Sequence, residues 1–161
     1  MLELVLIRHA NAGNYTEPDI ERHLSEKGKM EASQSAQVLK YSHHLSGTWL
    51  CSSATRTVET GKILMAINPS LCKELVIEDH WYHDKGEKYL DKIYQQSDPV
   101  IYLIAHNPSI SYVASYFTNE YIQMQTAEII HLKWAYAENW IETTANSAEK
   151  IYQFCPQISL S

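Results

Sequence analysis

Two arginines and two histidines in this chain stand where buried strands end or helices begin. The first pair is Arg8-His9, directly after the apolar run Leu4-Val5-Leu6-Ile7. Such a run, rich in β-branched residues, reads as a strand buried on both faces. Polar residues just past the carboxyl end of such a strand project into the ligand crevice of an open α/β sheet. An arginine there is a planar, permanently charged fork suited to phosphate. A histidine is a nucleophile or proton carrier near neutral pH. An isolated Arg-His pair is more simply the solvated end of a strand, so the weight falls on its company. Val100-Ile101-Tyr102-Leu103-Ile104-Ala105 is a second strongly apolar strand, and it ends at His106. Ser52-Ser53-Ala54-Thr55-Arg56 leads from a short strand into a helix amino terminus, where free N–H groups attract anions. Arg8, His9, Arg56 and His106 on one rim make a dense cationic site. Phosphoryl transfer is catalysed in such places, chiefly by positioning and charge stabilisation.

The elements that must position these residues alternate between strand and helix. A polar loop, Gly13 to His23, contains Pro18 and leads to Ser25, a plausible N-cap. The helix that follows carries Ala32, Ala36, Leu39 and His43 on one face. Thr48 to Ser52 forms a second strand, and a helix runs from about Ala54 to Ile67 with Val58, Gly61 and Met65 on one side. Asn68-Pro69 stops that helix. Glu74 to Ile77 is a third strand, followed by the polar loop Glu78 to Gly86 and a helix patterned by Tyr89, Leu90, Ile93 and Tyr94. Ser97-Asp98-Pro99 closes it before the second apolar strand. Asn107-Pro108 opens the next helix, whose apolar face is Ile110, Val113, Ala114 and Phe117. The tail reads as a strand near Ala127 to Trp134, an aromatic link through Trp140 and a last strand near Lys150 to Phe154. This alternation predicts an α/β fold, a three-layer sandwich with a mostly parallel central sheet flanked by helices.

The 161 residues fit one domain, 1–161, without internal repeat or linker. A formal net charge of −6 argues against nucleic acid and against an anionic membrane surface, both of which want a basic face. Cys51, Cys72 and Cys155 are odd in number and widely spaced, which suits reduced packing thiols better than a disulfide frame. There is no run of membrane-spanning length and no basic segment leading into a signal-peptide core. A soluble, cytoplasmic protein is the expectation.

Four stretches together resemble the histidine phosphatase superfamily, and most closely its short SixA-type phosphohistidine phosphatase branch. They are Leu6-Ile7-Arg8-His9-Ala10-Asn11-Ala12, Arg22-His23-Leu24-Ser25-Glu26-Lys27-Gly28, Ser52-Ser53-Ala54-Thr55-Arg56-Thr57-Val58-Glu59-Thr60 and Leu103-Ile104-Ala105-His106-Asn107-Pro108. Each alone is weak, but they come in the family's order and spacing. The tail from Trp140 to Tyr152-Gln153-Phe154-Cys155-Pro156 is also similar to this branch. The resemblance implies a phosphoglycerate mutase-like fold with His9 as a nucleophile that forms a phosphohistidine intermediate. Arg8, Arg56 and His106 would hold the phosphoryl oxygens, and no metal or other cofactor is implied, because the arginines supply the charge. The protonation state of His106 is not legible in the sequence. Ala10 stands where the wider superfamily usually has Gly, which narrows the match to the short branch. Ser53 stands where a Pro is common, a departure in the turn before Arg56.

Superfamily members that cleave phosphate esters place a carboxylic acid after the third strand, because an alkoxide leaves poorly without a proton. Here that region is Glu78-Asp79-His80-Trp81-Tyr82-His83-Asp84-Lys85-Gly86, which does not match the acid motif cleanly. Glu78 and Asp84 are the candidate acids. The resemblance therefore implies as partner a phosphorylated protein, a histidine-containing phosphotransfer domain, whose imidazole leaves easily. The alternatives are a small phosphorylated metabolite as substrate, or a silent phosphoprotein-binding module on the same fold. His80, His83, Asp79 and Asp84 have no recognised metal spacing and read as a solvated rim. His23, His43-His44 and His131 read as surface or packing residues. Arg22 suits either the phosphate mouth or a surface salt bridge. The late Trp and Tyr residues suit core and rim better than a stacking platform for nucleic acid.

Overall fold

A computed structural model describes residues 1–13, 15–42 and 45–159. The apolar runs form one six-stranded sheet in the order β3-β2-β4-β1-β5-β6. Its strands are β1 (Leu2–Arg8), β2 (Gly47–Ser52), β3 (Cys72–Glu78), β4 (Val100–Ala105), β5 (Ile129–Trp134) and β6 (Glu149–Phe154). The pairs β1–β4, β2–β4 and β2–β3 are parallel, while β5 runs antiparallel to both β1 and β6. Five strands therefore share one direction and β5 alone is reversed, an orientation its sequence did not signal. Among the described residues four α-helices cover the sheet: α1 (Glu26–Ser42), α2 (Thr55–Ile67), α3 (Glu87–Tyr94) and α4 (Ser109–Phe117).

Alternation along the central strands sorts the core into two layers. Leu4 and Leu6 of β1, Leu50 of β2 and Leu103 of β4 join residues of α3 and α4 on one face. Val5, Ile7, Cys51, Tyr102 and Ile104 join Ala36 and Leu39 of α1 and Leu64 of α2 on the other. Each fully buried Leu or Ile contributes roughly 1.5–3 kcal/mol, and β1 and β4 are buried almost throughout. Trp49 and Tyr102 stack on the α1–α2 side with ring centroids 4.8 Å apart. All three cysteines are free thiols, and burial pushes the Cys51 thiol up to about 12, so it packs rather than reacts. No described helix is long and apolar enough to cross a membrane.

The helix starts follow the expected chemistry. Ser25 Oγ accepts a hydrogen bond from the Gly28 N–H at 3.0 Å, as an N-cap does. Gly28 also lets α1 lie directly under the loop that follows β1. A Cβ there would come within 2.0 Å of the Asn11 carbonyl oxygen. Ala32, Ala36 and Leu39 face the core as expected; His43 and His44 lie outside the described residues.

Candidate active site

The carboxyl ends of β1, β2 and β4 open onto one cleft of about 290 Å³. Its lining includes Arg8, His9, Arg22, Arg56 and His106, together with Asn11, Tyr15 and Asn107. All four residues singled out at strand ends and the helix start meet here, and Arg22 joins them. Larger clefts of about 450 and 390 Å³ lie elsewhere, but neither gathers converging arginines.

His9 is fixed at both ends of its peptide unit. Its N–H donates to the Ala105 carbonyl at 2.9 Å, and its own carbonyl accepts from the Ala127 N–H at 3.0 Å. The ring is 7% exposed as part of a buried residue, with Nδ1 2.7 Å from the Ala10 carbonyl oxygen. A carbonyl only accepts, so Nδ1 carries the proton and Nε2 keeps its lone pair. Arg56 confirms that polarity, donating from Nε to His9 Nε2 at 3.4 Å. Burial, reinforced by Arg56, Arg8 and His106, drives the His9 pKa down to about 3, although the Ala10 bond opposes the drop. The ring is therefore neutral at pH 7, as a nitrogen nucleophile must be.

The cations are anchored from behind. Arg8 donates from one terminal nitrogen to the Met124 carbonyl at 2.9 Å, and its Nε is buried with no partner among the described residues. Burial lowers its pKa, while the nearby Glu31 and Glu128 carboxylates raise it. Glu31 is itself buried and accepts from the Asn11 N–H at 2.8 Å and the Thr126 hydroxyl at 3.0 Å. Arg56 lies in the first turn of α2, where Thr57 donates its hydroxyl back to the Ser52 and Ala54 carbonyls. The turn before Arg56 thus closes with Ser53 in place. His106 Nε2 lies 3.2 Å from Ser52 Oγ. Burial first, then Arg56, lowers the His106 pKa below its usual value, which favours a neutral ring.

Two residues that contact the cleft's arginines and His106 from beside it escaped sequence reasoning. Asp19, in a short turn of the loop after β1, accepts from Arg56 through its backbone carbonyl at 2.7 Å and through Oδ2 at 3.2 Å. Its Oδ1 accepts from Arg22 at 3.0 Å. Tyr82 donates its hydroxyl to Asp19 Oδ2, and its ring lies 5.6 Å from that of His106. The Tyr82 hydrogen bond above all, helped by Arg22 and Arg56, holds the Asp19 carboxyl at about 2, although burial pushes it the other way. The three-residue spacing of Asp19 and Arg22 was a weak local signal; nothing in the sequence announces Tyr82.

The candidate acids do not join the cleft. Glu78 pairs with Lys92 at 2.7 Å. Asp84 turns to α3, where its Oδ2 accepts from the N–H groups of Gly86 at 2.7 Å and Lys88 at 3.0 Å. Both readings of Arg22 hold at once, since it lines the cleft and pairs with Asp19. His23 is exposed and pairs with Glu59, while His131 is buried against Glu3 at 2.7 Å.

No protein-family model matches the sequence, and no curated protein sequence matches it. Solved structures do match, and they share the phosphoglycerate mutase-like α/β fold over nearly the whole chain. A candidate phosphohistidine phosphatase SixA from Agrobacterium tumefaciens superposes with a TM-score of 0.81 at 22% identity, over 96% of this chain and 98% of that one. The protein histidine phosphatase SixA complexed with tungstate superposes at 0.75 with 15% identity, over 96% and 97% of the two chains. A phosphoserine phosphatase from Entamoeba histolytica, bound to 3-phosphoglyceric acid, superposes at 0.63 with 13% identity, over 98% of each. The architecture is thus common to SixA structures and to other histidine phosphatase superfamily members, and it does not by itself select a substrate.

Proposed function

We propose that the chain is a single histidine phosphatase domain that removes phosphate from a phosphohistidine on a signalling or phosphotransfer protein. In this reading His9 Nε2 attacks phosphorus, and the bond from phosphorus to the substrate imidazole breaks. The electron pair of that bond stays on the departing ring nitrogen. A proton on the ring's other nitrogen lets the imidazole leave neutral. Water then attacks the phosphorylated His9, the phosphorus–Nε2 bond breaks, and phosphate departs as Nε2 recovers its lone pair. Arg8, Arg56 and His106 hold the phosphoryl oxygens, and donors already in place when charge builds up are the largest single contribution to such a step.

The observation that carries this reading is the state of the carboxylates. Glu78 and Asp84 are bonded away from the cleft. Asp19, which is bonded into it, is held ionised well below neutral pH and has no proton to give. An alkoxide leaving group needs that proton; an imidazole does not. SixA structures on the same fold, one of them holding the phosphate-like anion tungstate, lend support.

The test is a parallel assay of wild type and His9→Ala, without added metal. One substrate is a histidine-phosphorylated phosphotransfer domain, the other a panel of small phosphate esters. The expected result is rapid loss of phosphate from the protein, little from the esters, and none with His9→Ala. Efficient ester hydrolysis would instead establish a small-molecule phosphatase. Binding of the phosphoprotein without turnover would establish a silent module.

A further inference from the structure

The reaction proposed above leaves Asp19 without a part, although its carboxylate is bonded to two arginines of the cleft. The geometry of Arg56 explains why that matters. Its Nε faces His9 at 3.4 Å, while its two terminal nitrogens are held by Asp19, one on the backbone carbonyl at 2.7 Å and one on Oδ2 at 3.2 Å. Arg22 uses one terminal nitrogen on Asp19 Oδ1 at 3.0 Å, its Nε on the Gly13 carbonyl and its other terminal nitrogen on the Ala12 carbonyl. Tyr82, from the loop after β3, donates to the same carboxylate and lies with its ring centroid 5.9 Å from the Arg56 guanidinium. An internal anion therefore sits among the groups that a phosphate dianion would seek.

We propose that Asp19 is a built-in counter-anion, a specificity-determining residue that holds down the affinity of the cleft for free phosphate. This rests on the reading of the cleft as a phosphoryl site. Inorganic phosphate and small monoesters arrive as free dianions with little other surface to bind. They meet the Asp19 charge directly, and they must take Arg56 from it to use both ends of the guanidinium. A phosphoryl group carried on a protein surface brings contacts from outside the cleft and uses the Nε side of Arg56, which Asp19 leaves clear. The same charge speeds release of the product, which is phosphate itself. Asp19 is half exposed, so water screens the repulsion, and an effect of about tenfold on phosphate affinity is expected.

The experiment is calorimetric titration of inorganic phosphate into wild type, Asp19→Asn and Tyr82→Phe at neutral pH, with thermal unfolding of each as a check on folding. Asparagine keeps the shape and an acceptor for Arg56 but removes the charge. Phenylalanine keeps the charge and removes the phenol bond. Asp19→Asn should bind phosphate about tenfold tighter, with matching product inhibition, and Tyr82→Phe should stay within about twofold of wild type. Unchanged or weaker binding by Asp19→Asn would overturn the proposal, because the carboxylate would then merely prop Arg56. Equal tightening in both variants would overturn it too, because charge would not be the cause. Should Asp19→Asn fail to fold, Asp19→Ser carries the same expected sign. A wild type that leaves a phosphohistidine protein untouched yet binds phosphate sinks the proposed reaction and leaves this titration decisive.

Discussion

Two buried histidines in this fold have opposite partners. His9 gives its Nδ1 proton to a neutral backbone carbonyl and faces an arginine with Nε2. His131, on β5, meets the Glu3 carboxylate at 2.7 Å. Burial lowers the pKa of both rings, but a carboxylate pushes His131 back up while the arginines push His9 further down. A carbonyl fixes a tautomer without adding charge, so His9 stays neutral with its Nε2 lone pair turned to the cleft and to Arg56. A carboxylate absorbs the ring into a pair, so His131 is a strut. Burial alone therefore does not mark a reactive histidine; the partner on its far nitrogen does.

The sharpest break between the two is expected from their removal. His9→Ala should abolish turnover while the domain stays folded, measured by phosphate release and thermal unfolding together; appreciable turnover would dissolve the distinction. Arg56→Ala should lower kcat by on the order of 10²–10³, as loss of a preorganised charge does. A change confined to KM would reduce Arg56 to a substrate contact. His131→Leu should leave kcat within about twofold but cost roughly 1–3 kcal/mol of stability, because Glu3 is left buried without that partner. A loss of activity at unchanged stability would reverse the roles assigned here.

The remaining effect is in the pH dependence of stability. The His9 ring titrates near 3 in the folded protein and near 6.5 when unfolded. Between those values the unfolded chain binds the extra proton, so stability attributable to His9 is complete above about 6.5 and drains away as pH falls toward 3. Asp19 adds a loss in the same direction at lower pH, between its ordinary 3.8 and about 2. Melting temperatures of wild type and His9→Ala should therefore converge as the solution is acidified from neutrality. Parallel curves would mean that the buried ring is not held neutral.

The strands and their histidines were legible because a buried apolar run that stops at a charged residue leaves few places for that residue to go. Arg8, His9 and His106 follow from that rule, and Arg56 from a helix start facing the same rim. Loop chemistry was less legible. Glu78 and Asp84 follow β3 in sequence, but one is drawn to Lys92 on α3 and the other caps that helix. Asp19 reached the cleft instead, through contacts 37 residues away with Arg56 and 63 away with Tyr82. No local pattern encodes such pairings. The reversed direction of β5 was hidden for a related reason, since a strand's residues record its burial and not the way it runs.

The backbone hydrogen bonds that tie His9 to Ala105 and Ala127, with the ring bond from Nδ1 to the Ala10 carbonyl, make the proposed nucleophile a fixed post and not a swinging arm. A residue whose backbone is stitched between β4 and the approach to β5, and whose ring is tied to the neighbouring carbonyl, cannot travel out to meet a phosphoryl group. Under the proposed reaction, all the travel belongs to the partner. Encounter is then governed by how far the partner's own phosphorylated ring stands proud of its surface. Two equally charged partners with differently recessed histidines would be served at very different rates.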